Sequence, residues 1–291
     1  MRLVGLVAAT LALAASAGAT PPYSQLVKRY AYDASAPLGV REAGVTTAGG
    51  IAVHGLSYAS PVRGRVPAYL VVPAGDGPFS IVLWAPGWAG TRDEFLSDAL
   101  ALARRGVAGF LFTPPILRPG GPYLTTCDAR KDVAAVAQYV KEERRAIDVI
   151  AGSPELDATR IGYAGFSLGA DFGAILAGVE KRIRAYAIQS GRGHYSVFPG
   201  TDCSTRLPAT RLAAYRGAMT SVDAVRYVGH AAPAALLFQN GSRDQISPRQ
   251  DVLAHYRAAS GPKTLRWYRT AHFLPQAATD FRDSWLIAHL R

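Results

Sequence analysis

Residues 156–171 read LDATRIGYAGFSLGAD, and the parsing of this stretch decides the fold. Residues 161–165 (IGYAG) form a short apolar run of strand length, and residues 168–179 (LGADFGAILAGV) form a helical one. Only Phe166 and Ser167 separate them. A strand that passes so abruptly into a helix forces the serine into a strained turn, which lifts its hydroxyl out of the sheet. Gly165 and Gly169, two residues to either side, leave space for that turn. The start of the helix presents unpaired amides and a positive dipole end to negative charge developing at the serine. Ser167 is the candidate nucleophile.

Outward from this stretch the same alternation continues. Residues 51–59 and 66–72 read as early strands, and residues 79–85 (FSIVLWA) as a strand buried on both faces that ends at Pro86-Gly87. Residues 92–105 carry Phe95, Leu96, Leu100, Leu102 and Ala103 at helical spacing before Gly106. A strand at 107–112, a loop rich in Pro and Gly at 113–126 and a long amphipathic helix at 128–150 follow. Beyond the serine, strands are expected at 183–189, 234–238 and 264–268, with helices at 248–258 and 277–290. Strands alternating with helices imply a mostly parallel central sheet with helices on both faces. Residues 191–230 break the rhythm and read as an insertion containing a couple of short helices. Residues 20–291 are expected to form a single domain.

A serine hydroxyl is a poor nucleophile until a base takes its proton. The histidines are His54, His194, His230, His255, His272 and His289. His255 and His289 fall inside helical patterns and read as surface residues, His54 lies in an early strand, His194 in the insertion, and His230 before a strand. His272 follows the last strand in the loop Thr270-Ala271-His272-Phe273, at the sheet edge where open α/β folds bind ligands. Asp244 follows the strand AALLFQ through the turn Asn240-Gly241-Ser242-Arg243, at the same edge. It is the candidate partner that would orient the imidazole; Asp251 falls in a helix, and Asp202 and Asp223 in the insertion.

The order Ser, Asp, His is that of α/β-hydrolases. The stretch LDATRIGYAGFSLGAD resembles the nucleophile region of the dienelactone hydrolase-like and prolyl-oligopeptidase-like esterases, and LLFQNGSRDQISP resembles their acid loop. The resemblance runs from about residue 51 to the end and is poor in 191–230. It implies an α/β-hydrolase fold and carboxylic ester hydrolysis through an acyl-enzyme, with a catalytic triad of Ser167, Asp244 and His272. One oxyanion donor is expected to be the backbone N–H of Leu168. Where relatives carry His-Gly after the corresponding strand, this chain has Pro86-Gly87-Trp88-Ala89-Gly90. Polyester-degrading cutinase-like esterases show Pro-Gly followed by an aromatic residue, and by that similarity the second donor is the N–H of Trp88. Trp88, Phe166 and the loop holding Pro119 to Tyr123 are expected to wall the substrate pocket, with Tyr123 in contact with substrate. The insertion adds Tyr195, Phe198, Arg192, Arg206, Arg211 and Arg216. Peptidase action on small peptides is the alternative within this class, and a non-catalytic binding protein on the same fold the alternative outside it.

The remaining features bound the setting. The 291 residues are 49% hydrophobic and 18% charged, enough for a large core and little disorder. Residues 1–19 read as a signal peptide: Arg2, an apolar stretch at 3–15, then Ala17-Gly18-Ala19 before Thr20. A spanning helix needs roughly 20 apolar residues, so secreted or periplasmic localisation with no membrane span is expected. In an oxidising compartment Cys127 and Cys203 are expected to form a disulfide. The net charge of +11 is carried by scattered arginines with no basic run, so a solvated surface is expected and not a nucleic-acid partner. No metal-binding or dinucleotide pattern is present, so the reaction is expected to need no cofactor or metal. The expected partner is a small-molecule or polymeric ester.

Overall fold

A computed structural model describes residues 21–198 and 203–291. The signal peptide expected at residues 1–19 lies outside these residues. Among these residues nine strands form one sheet: β1 (Arg41–Ala48), β2 (Ile51–Ala59), β3 (Arg65–Val72), β4 (Phe79–Ala85), β5 (Val107–Phe112), β6 (Leu156–Phe166), β7 (Ile183–Gln189), β8 (Ala235–Gly241) and β9 (Lys263–Tyr268). Their spatial order is β1-β2-β3-β5-β4-β6-β7-β8-β9. The first three strands run as an antiparallel meander that joins β5 antiparallel, and every pairing from β5 to β9 is parallel. The mostly parallel sheet is therefore as expected.

Among the described residues eight α-helices accompany it: α1 (Tyr23–Leu26), α2 (Leu96–Ala103), α3 (Ala129–Ala151), α4 (Leu168–Val179), α5 (Cys203–Arg206), α6 (Ala209–Met219), α7 (Arg249–Ala258) and α8 (Gln276–His289). Strand β4 shows why both faces are covered. Ile81, Leu83 and Ala85 pack with α3 and α4, whereas Val82 and Trp84 pack with Ala99 and Leu102 of α2 and Leu286 of α8. Successive side chains of a strand point to opposite faces, so the unbroken apolar run of β4 serves two cores. Each fully buried Leu, Ile or Val contributes roughly 1.5–3 kcal/mol.

Three sequence expectations change. Strand β1 lies ahead of the first strand expected, and all eight of its residues are exposed; with both faces in water it has no alternation to read. The helix expected over 92–105 begins only at Leu96, because residues 91–95 turn beneath the loop that follows β4. His255 is fully buried, not on the surface: α7 turns it inward against Phe238, whose ring centroid is 5.0 Å away.

After β7 the chain leaves the sheet for the insertion, whose described part holds α5, α6 and single turns of 3₁₀ helix. Three carboxylates fix its first residues. Asp171 of α4 binds the backbone and guanidinium of Arg192. Asp251 of α7 takes the N–H of Gly193 and faces His194 Nδ1. Asp223 takes the N–H and hydroxyl of Ser196. The disulfide Cys127–Cys203 ties the insertion to the segment that leads into α3, with the Cα atoms 5.4 Å apart, inside the range a disulfide requires. No described helix is long and apolar enough to cross a membrane.

Candidate active site

Ser167 sits where β6 runs into α4, with φ 51° and ψ −111°, a conformation that is sterically costly for any residue with a Cβ. The surrounding packing holds it there. A Cβ on Gly165 would lie 2.6 Å from the carbonyl oxygen of Gly169, and one on Gly169 would lie 2.3 Å from that of Ala85. The two flanking glycines are thus required by close approach of α4 to the ends of β6 and β4. The Ser167 N–H bonds the Gln189 carbonyl at 2.8 Å, anchoring the turn to β7. Below it, the Tyr163 hydroxyl lies 2.7 Å from both Glu143 Oε1 and the Gly169 carbonyl. Burial pushes the Glu143 pKa well up, and the hydrogen bond from Tyr163 opposes that rise.

The three residues singled out in the sequence meet at this point. His272 Nε2 is 2.8 Å from Ser167 Oγ, and His272 Nδ1 is 2.8 Å from Asp244 Oδ2. With Nδ1 protonated and donating to Asp244, Nε2 is free to accept the serine proton. Asp244 Oδ1 accepts the N–H groups of Ile246 at 2.8 Å and Ser247 at 3.0 Å. Burial alone would raise the Asp244 pKa, but the hydrogen bonds from His272 and these two amides outweigh it and hold the carboxyl below its usual value. The acid therefore stays ionised beside the imidazole.

Loop 86–90 closes over the serine. A Cβ on Gly87 would lie 3.5 Å from Ser167 Cβ. The backbone N–H groups of Trp88 and Leu168, the expected oxyanion donors, bond no described protein acceptor. A cleft of about 760 Å³ opens at Ser167 and His272. Its apolar wall includes Trp88, Phe95, Phe166, Phe198 and Phe273. Trp88 and Phe273 stand at its mouth, 52% and 76% exposed, and the Phe273 ring stacks on Phe166 at 5.6 Å. At the other end Arg282 is buried, bonded to Asp98, Asp283 and Gln189. Two carboxylates neutralise it, so it offers no free positive charge to a substrate.

Trp88, Phe166 and Phe198 line the cleft. Tyr123 does not: it is 78% exposed and lies outside the cleft lining. Its loop borders a separate cavity of about 240 Å³, walled by Arg63, Arg65 and Arg118. Tyr195 is buried in the core and Arg192 is committed to Asp171. Three contributors were not found from sequence. The Ser190 hydroxyl donates to the His272 carbonyl and its own carbonyl accepts from Ser247, each at 2.7 Å, so one residue joins the base loop to the acid loop. Its only signal was a small polar residue at the end of a strand. Glu94 and Arg282 lay in helical patterns with nothing to mark them as facing a cleft. Among the described residues no cluster of three or more His, Cys, Asp or Glu side chains is placed to hold a metal ion.

A mostly parallel sheet with helices on both faces, a serine turn after β6 and loops after β8 and β9 converging on it define an α/β-hydrolase fold. Solved structures with this architecture share it along most of their length. Acetyl xylan esterase 1 from Thermoanaerobacterium sp. JW/SL YS485 is similar with TM-score 0.80 and 14% identity, over 94% of this chain and 96% of that one. An acetyl xylan esterase from Paenibacillus sp. R4 gives TM-score 0.77 and 17% identity, over 92% and 93%. An alpha/beta hydrolase from Penicillium sp. sh18 gives 0.64 and 15%, over 80% and 97%. No family model and no curated protein matches the chain.

Proposed function

We propose that the protein is a carboxylic ester hydrolase that works through an acyl-enzyme on Ser167. The observation that carries this reading is the continuous hydrogen-bonded path from Ser167 Oγ through His272 to Asp244, with both steps at 2.8 Å. His272 Nε2 takes the serine proton as Oγ attacks the ester carbonyl carbon. The carbonyl oxygen becomes an oxyanion and receives the N–H groups of Trp88 and Leu168. Imidazolium, stabilised by ionised Asp244, then protonates the departing alkoxide, leaving the acyl group on Ser167. Water repeats the sequence: His272 takes its proton, hydroxide attacks the acyl carbon, and the proton returns to Ser167 as the acid leaves.

The likeness to two acetyl xylan esterases supports ester over peptide bonds, and the aromatic cleft suits a neutral small-molecule or polymeric ester. The apolar leader and the disulfide support export to the periplasm or medium. The test is labelling with a fluorophosphonate probe, together with turnover of model esters and matched anilides. Labelling that survives Ser167→Ala, or anilides cleaved faster than esters, would overturn the reading.

A further inference from the structure

We propose that Glu94 is a positioning residue, whose carboxylate clamps Gly87 and so holds loop 86–90 with the Trp88 N–H turned toward the oxyanion. The inference rests on the ester hydrolysis proposed above.

Both carboxylate oxygens of Glu94 lie 3.2 Å from the Gly87 nitrogen. The Gly87 carbonyl in turn accepts the Gly90 N–H at 3.2 Å, closing a tight turn. Inside that turn Ala89 has φ 67°, a left-handed conformation that costs a residue with a Cβ and persists only when its surroundings hold it. Glu94 supplies such a hold from beneath. Its Oε2 lies 1.5 Å from where a Cβ on Gly90 would be, so the carboxylate occupies the space that residue 90 leaves empty. Movement of the loop is felt at once by the nucleophile, because a Cβ on Gly87 would already be 3.0 Å from the Phe166 ring and 3.5 Å from Ser167 Cβ. With the Gly87 N–H consumed by Glu94, the next amide along the chain is the one left for substrate.

Burial raises the Glu94 pKa, and the hydrogen bond from the Gly87 N–H opposes that rise. The carboxylate's hydrogen bonds go to Gly87 and not to His272 or Ser167, which argues against a role in proton transfer. Holding the loop accounts for its place. A donor displaced by about 1 Å costs of the order of 100-fold in rate, and a lost oxyanion donor about 10²–10³-fold.

Purified wild type, Glu94→Ala, Glu94→Gln and Gly90→Ala are compared for kcat and KM on a model ester, and for inhibition by a trifluoromethyl ketone, which forms a tetrahedral adduct with the serine. Glu94→Ala should lower kcat by about 10- to 100-fold, with KM within about threefold, and weaken the inhibitor by a similar factor. Glu94→Gln keeps an acceptor for Gly87 and should stay within about threefold of wild type. Gly90→Ala leaves the glutamate present but evicts it from under the loop, and should resemble Glu94→Ala even if that variant fails to fold. Unchanged kcat in Glu94→Ala or Gly90→Ala overturns the proposal, as does a Gln variant as impaired as Ala. A wild type that turns over no ester would instead remove the hydrolase reading itself.

Discussion

Replacing His255 by leucine should leave stability nearly unchanged at neutral pH and raise it in acid. The ring is fully buried on α7, and neither nitrogen has a hydrogen-bond partner. Burial lowers its pKa from 6.5 to about 4; Asp251 pulls the value up and His194 pushes it down. A depressed folded value means that the unfolded chain takes up a proton below pH 6.5 that the folded chain refuses. Stability therefore falls as the pH drops from 6.5 toward 4. At pH 4.5 the loss from this one group is about 2 to 3 kcal/mol. Asp223 acts in the opposite sense. Burial raises it from 3.8 to about 6, so its contribution is fully present below 3.8 and lost as pH rises through 6, about 3 kcal/mol in all. The wild-type profile can then look flat, and only the difference between variant and wild type isolates His255. Leucine has a similar volume and suits a site against Phe238. Urea unfolding followed by tryptophan fluorescence should place the His255→Leu variant within about 1 kcal/mol of wild type at pH 7.5 and about 2 to 3 kcal/mol more favoured at pH 4.5. An equal difference at both pH values would refute the argument. The site matters for function because Gly193, whose Cβ would lie 3.0 Å from His255 Cβ, begins the segment that carries Phe198 to the cleft.

Ser167→Ala should lower ester turnover by about four to six orders of magnitude with an unchanged circular dichroism spectrum; activity within tenfold of wild type would remove Ser167 as nucleophile. Asp244→Asn should keep its turn, since an amide oxygen still accepts from Ile246 and Ser247, yet present an N–H to His272 Nδ1 and favour the wrong tautomer. A kcat loss of about 10³- to 10⁴-fold is expected, and steady-state kinetics on a model ester would check it. The bridge closes a separation of 76 residues and in the chain-entropy model stabilises by about 4 kcal/mol. Thiol titration of the denatured, unreduced protein should find none, and reduction should lower the melting temperature.

Much of this molecule follows from residues that are neighbours in sequence. The run IGYAG, the pair Phe166-Ser167 and the helix that follows identify the serine turn because strand, turn and helix are local preferences. Asp244 and His272 were legible for a related reason: each follows a strand, and parallel strands carry their C-terminal ends to one edge. Even so, Ser167 and His272 stand 105 residues apart, and no local signal sets their 2.8 Å contact. Other features depend wholly on what packs across from a residue. His255 lies in a helix whose composition is polar, and its burial is decided by Phe238 and Gly193. Tyr123 sits in a loop whose direction is set by β5 and α3, which carry it away from the cleft. Glu94 became part of the site only because the helix expected from residue 92 starts later, freeing its side chain to turn beneath Gly87. Periodicity and turn chemistry are properties of short segments, whereas burial and contact are properties of the closed chain.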